Sequence, residues 1–466
     1  MIQNERTPRF SATRATAQSA SNLSQQQSAL TISMSVALFL AVLGFAACNP
    51  GMQQASQREP DPCAIALLSP NGEAGADGQV QRLQQEIRET SQPSAKLERL
   101  GWLYVSRARS RNDPGFYKLA EQAAACIEKS DSASAAALLL RGHVQQNLHR
   151  FHESEQAARR LVAQRESPFD YGLLGDALME QGRLDEAAPA YQKMVDLRPG
   201  LESYSRAAHL RWLHGDVEGA AALMRLAARA GGSRNAEPTA WAYSRLALYE
   251  LQSAEFERAQ QAARSAVELQ PQYAPALLAS GRVLLAKGEP MDAVKPLSEA
   301  ARLNPLPEYR WLLAEALRAA GRLEEAARIE AEMERHGAID DPRTFSLYLS
   351  TKQRNVATAV QLAEQELAVR SDVFTYDALA WSLHAAGEMQ RANQAMKNAL
   401  SAGTQDARLF LHAAVISAAA GESANAARFR RKADSLRHLL LPSELEWLKA
   451  ARSSASTTAV PKPSSS

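Results

Sequence analysis

The chain has 466 residues, 45% of them hydrophobic, with 53 basic against 51 acidic side chains and only three cysteines. That is ample for a sizeable core, and scarce β-branched residues beside abundant alanine, leucine, arginine and glutamate favour an all-helical chain. Charge is balanced outside residues 1–47 and no block of one sign stands out, which excludes the basic face that a nucleic-acid partner requires.

Residues 1–47 read as an export signal. Arg6, Arg9 and Arg14 precede a stretch, Ala15 to Gln57, without a charged residue. Within it lies the apolar run "ALTISMSVALFLAVLGFAAC", ending at Cys48. Basic, then apolar, then small is the order of a secretory signal. Small residues directly before a cysteine resemble the lipobox of bacterial lipoproteins, which implies lipidation of Cys48 and anchoring at a cell-envelope membrane, facing the periplasm. Two other readings stay open: ordinary cleavage after Ala46 or Ala47, and an uncleaved anchor, since the run approaches the roughly 18 residues needed to span a bilayer.

Residues 48–78, rich in Gly, Pro, Gln and Ser, read as a flexible tether, followed by a helix over 79–89. Cys63 and Cys126 are the other two thiols. In an oxidising compartment they either pair, closing a long loop, or remain two separate thiols. Residues 453–466 are low-complexity and expected to be disordered.

Between tether and tail the chain repeats itself. Tight-turn residues recur at His149, Gly182, Gly215, Ala254, Gly288, Gly321, Arg354, Gly387 and Gly421, at spacings of 33 or 34 with one of 39. Such self-similarity signals a helix-turn-helix solenoid. Five residues after each turn stands a small residue, for example Ala187, Ala293 and Ala392, where two helices must meet closely. Pro199, Pro271 and Pro305 close units by ending their second helices. The wide spacing carries an insertion, "GGSRNAEP".

The unit "YGLLGDALMEQGRLDEAAPAYQKMVDLRP", Tyr171 to Pro199, resembles the tetratricopeptide repeat (TPR) family, as does "WLLAEALRAAGRLEEAARIEAEM". The resemblance covers about 94–433. It implies an all-α, right-handed superhelical solenoid of about ten repeats over 79–438, with a capping helix over 439–452. In that family the first helix of each unit lines a concave groove. The groove-facing stripe lies at offsets −13, −10, −6 and −3 from the turn, one face of a helix. Five of the six tryptophans fall on it: Trp102, Trp212, Trp241, Trp311 and Trp381. Phe169, Phe374, His143, His209 and His384 join them. These ten side chains are the candidate partner-binding residues, because tryptophan is a common hot spot; the competing reading is that they wedge neighbouring helices and set curvature. Arg282, Arg318 and Arg408 lie too far apart for a compact carboxylate clamp.

No GxSxG, P-loop or dinucleotide turn occurs. His149, His152 and Glu153 read as surface groups at a helix start. No catalysis, cofactor, metal or small-molecule substrate is expected. The function expected is a lipid-anchored scaffold for protein partners; the alternative is an anchored regulator or accessory subunit of an envelope enzyme, polysaccharide or secretion assembly.

Overall fold

The structure, a computed structural model, describes residues 61–68, 77–111 and 113–453. The signal, Cys48 and the tail beyond 453 lie outside the described residues. Contacts divide the chain into Met1–Asp61 and Pro62–Ser466, and the helices described all belong to the second unit.

Every element described is a helix. After α1 (Pro62–Ala66) and α2 (Gly78–Arg88) come ten antiparallel pairs. They are α3 (Ser94–Arg111) with α4 (Gly115–Ser130), α5 (Ala135–Asn147) with α6 (Phe151–Gln164), and α7 (Pro168–Glu180) with α8 (Leu184–Leu197). Next stand α9 (Leu201–Leu213) with α10 (Val217–Ala230), α11 (Ala236–Gln252) with α12 (Phe256–Leu269), and α13 (Ala274–Ala286) with α14 (Pro290–Leu303). Then follow α15 (Pro307–Ala319) with α16 (Leu323–Asp340), α17 (Pro342–Thr351) with α18 (Val356–Leu367), α19 (Val373–Ala385) with α20 (Met389–Ala399), and α21 (Ala407–Ala419) with α22 (Ser423–Ser435). A final helix, α23 (Pro442–Ser453), ends the described chain.

Each helix packs on its partner and on the pair that follows. Most have 14 residues or fewer, too short to be stable alone in water, so the stack supplies the stability. The reversal inside the nine pairs from α5–α6 onward has one geometry. After α7, Gly182 donates to Met179 O at 2.9 Å and Arg183 to Leu178 O at 2.9 Å. This Schellman closure satisfies two carbonyls at the helix end and requires a left-handed residue. Gly182, Gly215, Gly288, Gly321, Gly387 and Gly421 take it, as do His149 and Ala254 without glycine's ease. In the pair α17–α18 the repeat spacing predicts Arg354, and the structure corrects it by one: Gln353 is the left-handed residue at φ 53°. Asn355 (φ 43°) adds a residue before α18, which restores Ala359 to its fully buried crossing position.

Small residues sit where helices cross. A Cβ on Gly175 would lie 2.3 Å from the Tyr191 ring, and Tyr191 itself is fully buried. The insertion forms a 3-10 turn, Ser233–Asn235, and lengthens α11 to 17 residues. Thr239 holds it by accepting from Gly232 N–H at 3.0 Å and donating to Asn235 O at 2.7 Å.

The tether expectation needs a second correction. Residues 62–68 are packed, not loose: Ala66 is fully buried and its carbonyl accepts from Tyr104 Oη at 2.8 Å. Gln84 donates to Tyr104 Oη at 2.8 Å and to Leu68 O at 3.0 Å. Cys63 and Cys126 form a disulfide that fastens α1 to α4 across 63 residues of sequence. Burial pushes the Tyr104 phenol up to about 12. Among the described residues no helix is long and apolar enough to cross a membrane.

Candidate partner-binding face

The first helices of the ten pairs run α3, α5, α7 and on to α21, each touching the next. Their shared face carries the aromatic stripe, which the structure divides into three groups.

The first group lies on the opening pairs. Trp102 is half-buried, its ring 5.3 Å from that of His143. Burial, with the Arg109 and Arg206 charges nearby, pushes the His143 imidazole down to about 4. Phe169 is 45% exposed under the Arg198 guanidinium, 5.2 Å from its ring centre. Trp241 is half-buried.

The second group is an internal contact. The stack coils until its second turn rests on its first. Ser371 Oγ donates to Gln181 O at 3.0 Å, 190 residues away. Thr404 Oγ1 donates to Leu213 O at 2.5 Å across 191 residues. The His438 ring lies 2.8 Å, through Nε2, from Leu251 O across 187 residues. All three carbonyls lie at the end of a first helix, where the helix dipole is negative and carbonyls run short of internal donors; Leu251 O accepts in addition from Ala254 N–H at 2.9 Å. A seam therefore forms at a regular interval, with side-chain donors of the later turn completing helix ends of the earlier one.

Gly182 and Gly215 serve this seam twice over. Both need a left-handed backbone, and a Cβ would lie 2.3 Å from Ser371 O and 2.4 Å from Gly403 O respectively. Charge reinforces the contact. Arg370 reaches Glu180 at 3.0 Å and lies 3.2 Å from His149 Nε2, while Arg343 pairs with Asp372 at 2.9 Å within the later turn. Burial pushes the Glu180 carboxyl up despite Arg370. His149 keeps an exposed edge, and partial desolvation at the seam, with the Arg370 charge, pushes its imidazole down to about 4. Phe374 stacks on Trp212 at 5.4 Å across the seam. His209 stacks on Trp212 at 5.4 Å and meets Tyr249 Oη at 3.1 Å. Burial first, then the Arg245 charge, lowers His209 to about 3. Trp212 and Phe374, expected in an open groove, instead join the coil to itself, with His209 stacked on Trp212.

The third group corrects the groove expectation most sharply. Trp311 and Trp381 are 2% and 1% exposed; Tyr348 and Arg408 lie against Trp311, and α23 folds back over the first helices of the last four pairs. Trp447 of α23 meets Trp381 edge to face at 4.9 Å and lies 6.4 Å from His384. Its indole donates to Thr351 O at 3.2 Å. Beneath it Trp381 stacks on His412 at 4.1 Å and 9° and donates to Thr351 Oγ1 at 3.1 Å. Burial, with His412 close by, pushes His384 down to about 4.

Polar anchors complete the cover. Glu315, 1% exposed, accepts from Trp311 Nε1 at 3.1 Å, Lys352 Nζ at 2.9 Å and the Ser443 backbone N–H at 2.9 Å. That last donor belongs to the first turn of α23. Glu444 accepts from Arg408 Nε and, at 2.8 Å, from Leu441 N–H. The other arginines considered for a clamp are also paired internally, Arg282 with Glu308 at 3.2 Å and Arg318 with Glu330. The sequence places a capping helix over 439–452 after the last repeat; α23 instead reaches back as far as α15. Sequence reasoning missed Glu444 and Trp447, although Trp447 is the one tryptophan off the stripe. Among the described residues no group of three or more metal-ligating side chains is placed to hold an ion.

Paired helices stacked into a coil, with first helices on one face and Schellman turns at each reversal, define a helical-repeat scaffold. The chain carries tetratricopeptide repeats: the pattern of that family matches residues 139–202, 173–235, 244–305 and 278–342. Such repeats generally build a non-catalytic scaffold for protein interaction. No curated protein matches the chain in sequence. Among solved structures, the human IFIT1 dimer with PPP-AAAA is similar at 14% identity, over 71% of this chain and 80% of that one, with a TM-score of 0.45. The human IFIT1 dimer with m7Gppp-AAAA is similar at 13% identity, over 71% and 78%, with a TM-score of 0.47. What those proteins hold is theirs alone.

Proposed function

We propose that the protein is a scaffold held at a bacterial envelope membrane by lipid on Cys48, facing the periplasm, and that it captures an amphipathic helical segment of a protein partner on the face of its first helices. One observation carries the reading: the first helices of the last four pairs already seat such a helix, α23, through a tryptophan and buried polar anchors. The half-buried Trp102 and Trp241 with the exposed Phe169 offer the same aromatic chemistry on the earlier pairs. Tryptophan rings supply much contact area at low entropic cost. The Cys63–Cys126 bridge supports an oxidising compartment. The export signal supports the membrane address, and lipid chains contribute about 0.8 kcal/mol per buried methylene.

The test has two arms. Labelled fatty acid is expected on the native chain and not on Cys48→Ala; label on neither removes the lipid anchor. A photo-crosslinking residue at position 241 is expected to trap one discrete partner in membranes, and a control at exposed Ile339 none. Equal trapping at both positions removes the proposed binding face.

A further inference from the structure

The covering helix is fastened unlike the helices beneath it. In α19 nine residues are buried and in α21 ten. Among the described residues of α23, Glu444, Trp447 and Leu448 are, with Leu441 just before it, a set as sparse as the two buried residues of the outer helix α22. Few buried contacts mark an element that opens at lower free energy than its surroundings. What holds α23 is specific rather than extensive. Glu315 receives a first-turn backbone amide at 2.9 Å, Arg408 receives the Glu444 carboxylate, and Thr351 O receives the Trp447 indole at 3.2 Å. Glu444 and Trp447 stand three apart, on one side of the helix.

Without α23, Arg408 loses the carboxylate it faces, and Glu315 loses one of its three donors. An apolar cap has no need of three such anchors. Together they read a helix N-terminus, an acidic side chain in the first turn and a tryptophan one turn on. Opposite them α23 presents Glu446 and Lys449 to solvent, so its outer side is ordinary helix surface.

We infer that α23 is an exchangeable internal ligand, and that the partner helix taking its place carries the same code: free first-turn amides, a glutamate, and a tryptophan three residues later. This rests on the scaffold reading above and adds the partner's chemistry and a regulatory step, since binding requires α23 to leave. The charge fits one occupant class: Arg408 favours an acidic first turn, which also suits a helix N-terminus.

The test uses the full chain and a fluorescent peptide of residues 440–453. The peptide is expected to bind the Trp447→Ala chain at least tenfold tighter than the native chain, whose face is occupied. A peptide lacking both the glutamate and the tryptophan is expected not to bind. Equal binding to both chains, or to neither while the variant keeps native helix content, overturns the inference. Should the variant not fold, hydrogen exchange on the native chain decides: amides of α23 are expected to exchange at least tenfold faster than those of α21, and equal protection overturns it. A concentration-dependent dimer of the variant would mean exchange between copies and equally reject a partner ligand. Crosslinking at position 241 reports on the scaffold reading independently, so one can fail without the other.

Discussion

Trp241 and Trp381 stand on the same face of equivalent first helices, yet one is half-buried and the other is 1% exposed. Their neighbourhoods differ in what lies above them, not in the helix that carries them. Over Trp381 the last helix of the chain lays Trp447, and His412 stacks below. Helical periodicity decides which side a residue faces. Whether that side is open depends on contacts far along the chain, which no local pattern contains.

The largest effects should fall where the comparison is starkest. Trp381→Ala is expected to cost about 4 kcal/mol, the range for truncating a large buried aromatic, whereas Trp241→Ala should cost about 1 kcal/mol. Urea midpoints measure both, and equal losses would erase the distinction between the two halves. The first half has a fastening of another kind, the Cys63–Cys126 bridge. Replacing both cysteines with serine should lower stability by roughly 4 kcal/mol on the loop-entropy account, and should leave the exchange of α23 amides untouched.

A finer contrast separates two glycines with the same turn. Gly288 has φ 79° and open space where a methyl would stand, whereas a methyl at Gly182 would meet Ser371 O at 2.3 Å. Gly288→Ala should cost about 1 kcal/mol, the left-handed penalty alone. Gly182→Ala should cost about 3 kcal/mol, because overpacking against backbone is added. Similar losses for the two would show that the seam yields freely.

The smallest effect is on pH. His143 and His384 titrate at about 4 and His209 at about 3 in the folded chain, below the roughly 6.5 of an exposed imidazole. The unfolded chain therefore binds more protons, and stability falls as pH drops from about 6.5 toward 4. Each histidine should remove about 0.7 kcal/mol between about pH 7 and pH 6, and His209→Gln should flatten the slope of the urea midpoint over that interval.

Much of the fold was legible because its causes are local. The turn residues and the small residues after them recur with the repeat, and eight of nine named turns hold the left-handed residue expected. The exception, Gln353 in place of Arg354, arose from one added residue that spacing alone could not place. Pro199, Pro271 and Pro305 each follow a helix by two residues. The binding face was legible only as a set of side chains. Its division into open, seam and covered parts depends on pairings such as Gln181 with Ser371. The packing of residues 62–68 was hidden for a similar reason: their Gly- and Pro-rich surroundings describe a tether, whereas Gln84, Tyr104 and Cys126, farther along the chain, hold them down.

The seam changes what kind of array this is. A linear stack can gain or lose a unit with little consequence, because each unit meets only its neighbours. Here the carbonyls of Gln181, Leu213 and Leu251 find their donors 190, 191 and 187 residues later. Duplicating or deleting one unit between them would put every donor out of phase at once. The number of repeats is thereby fixed like the teeth of a gear, and natural variation in length should be confined to the ends or to loops that leave the phase intact.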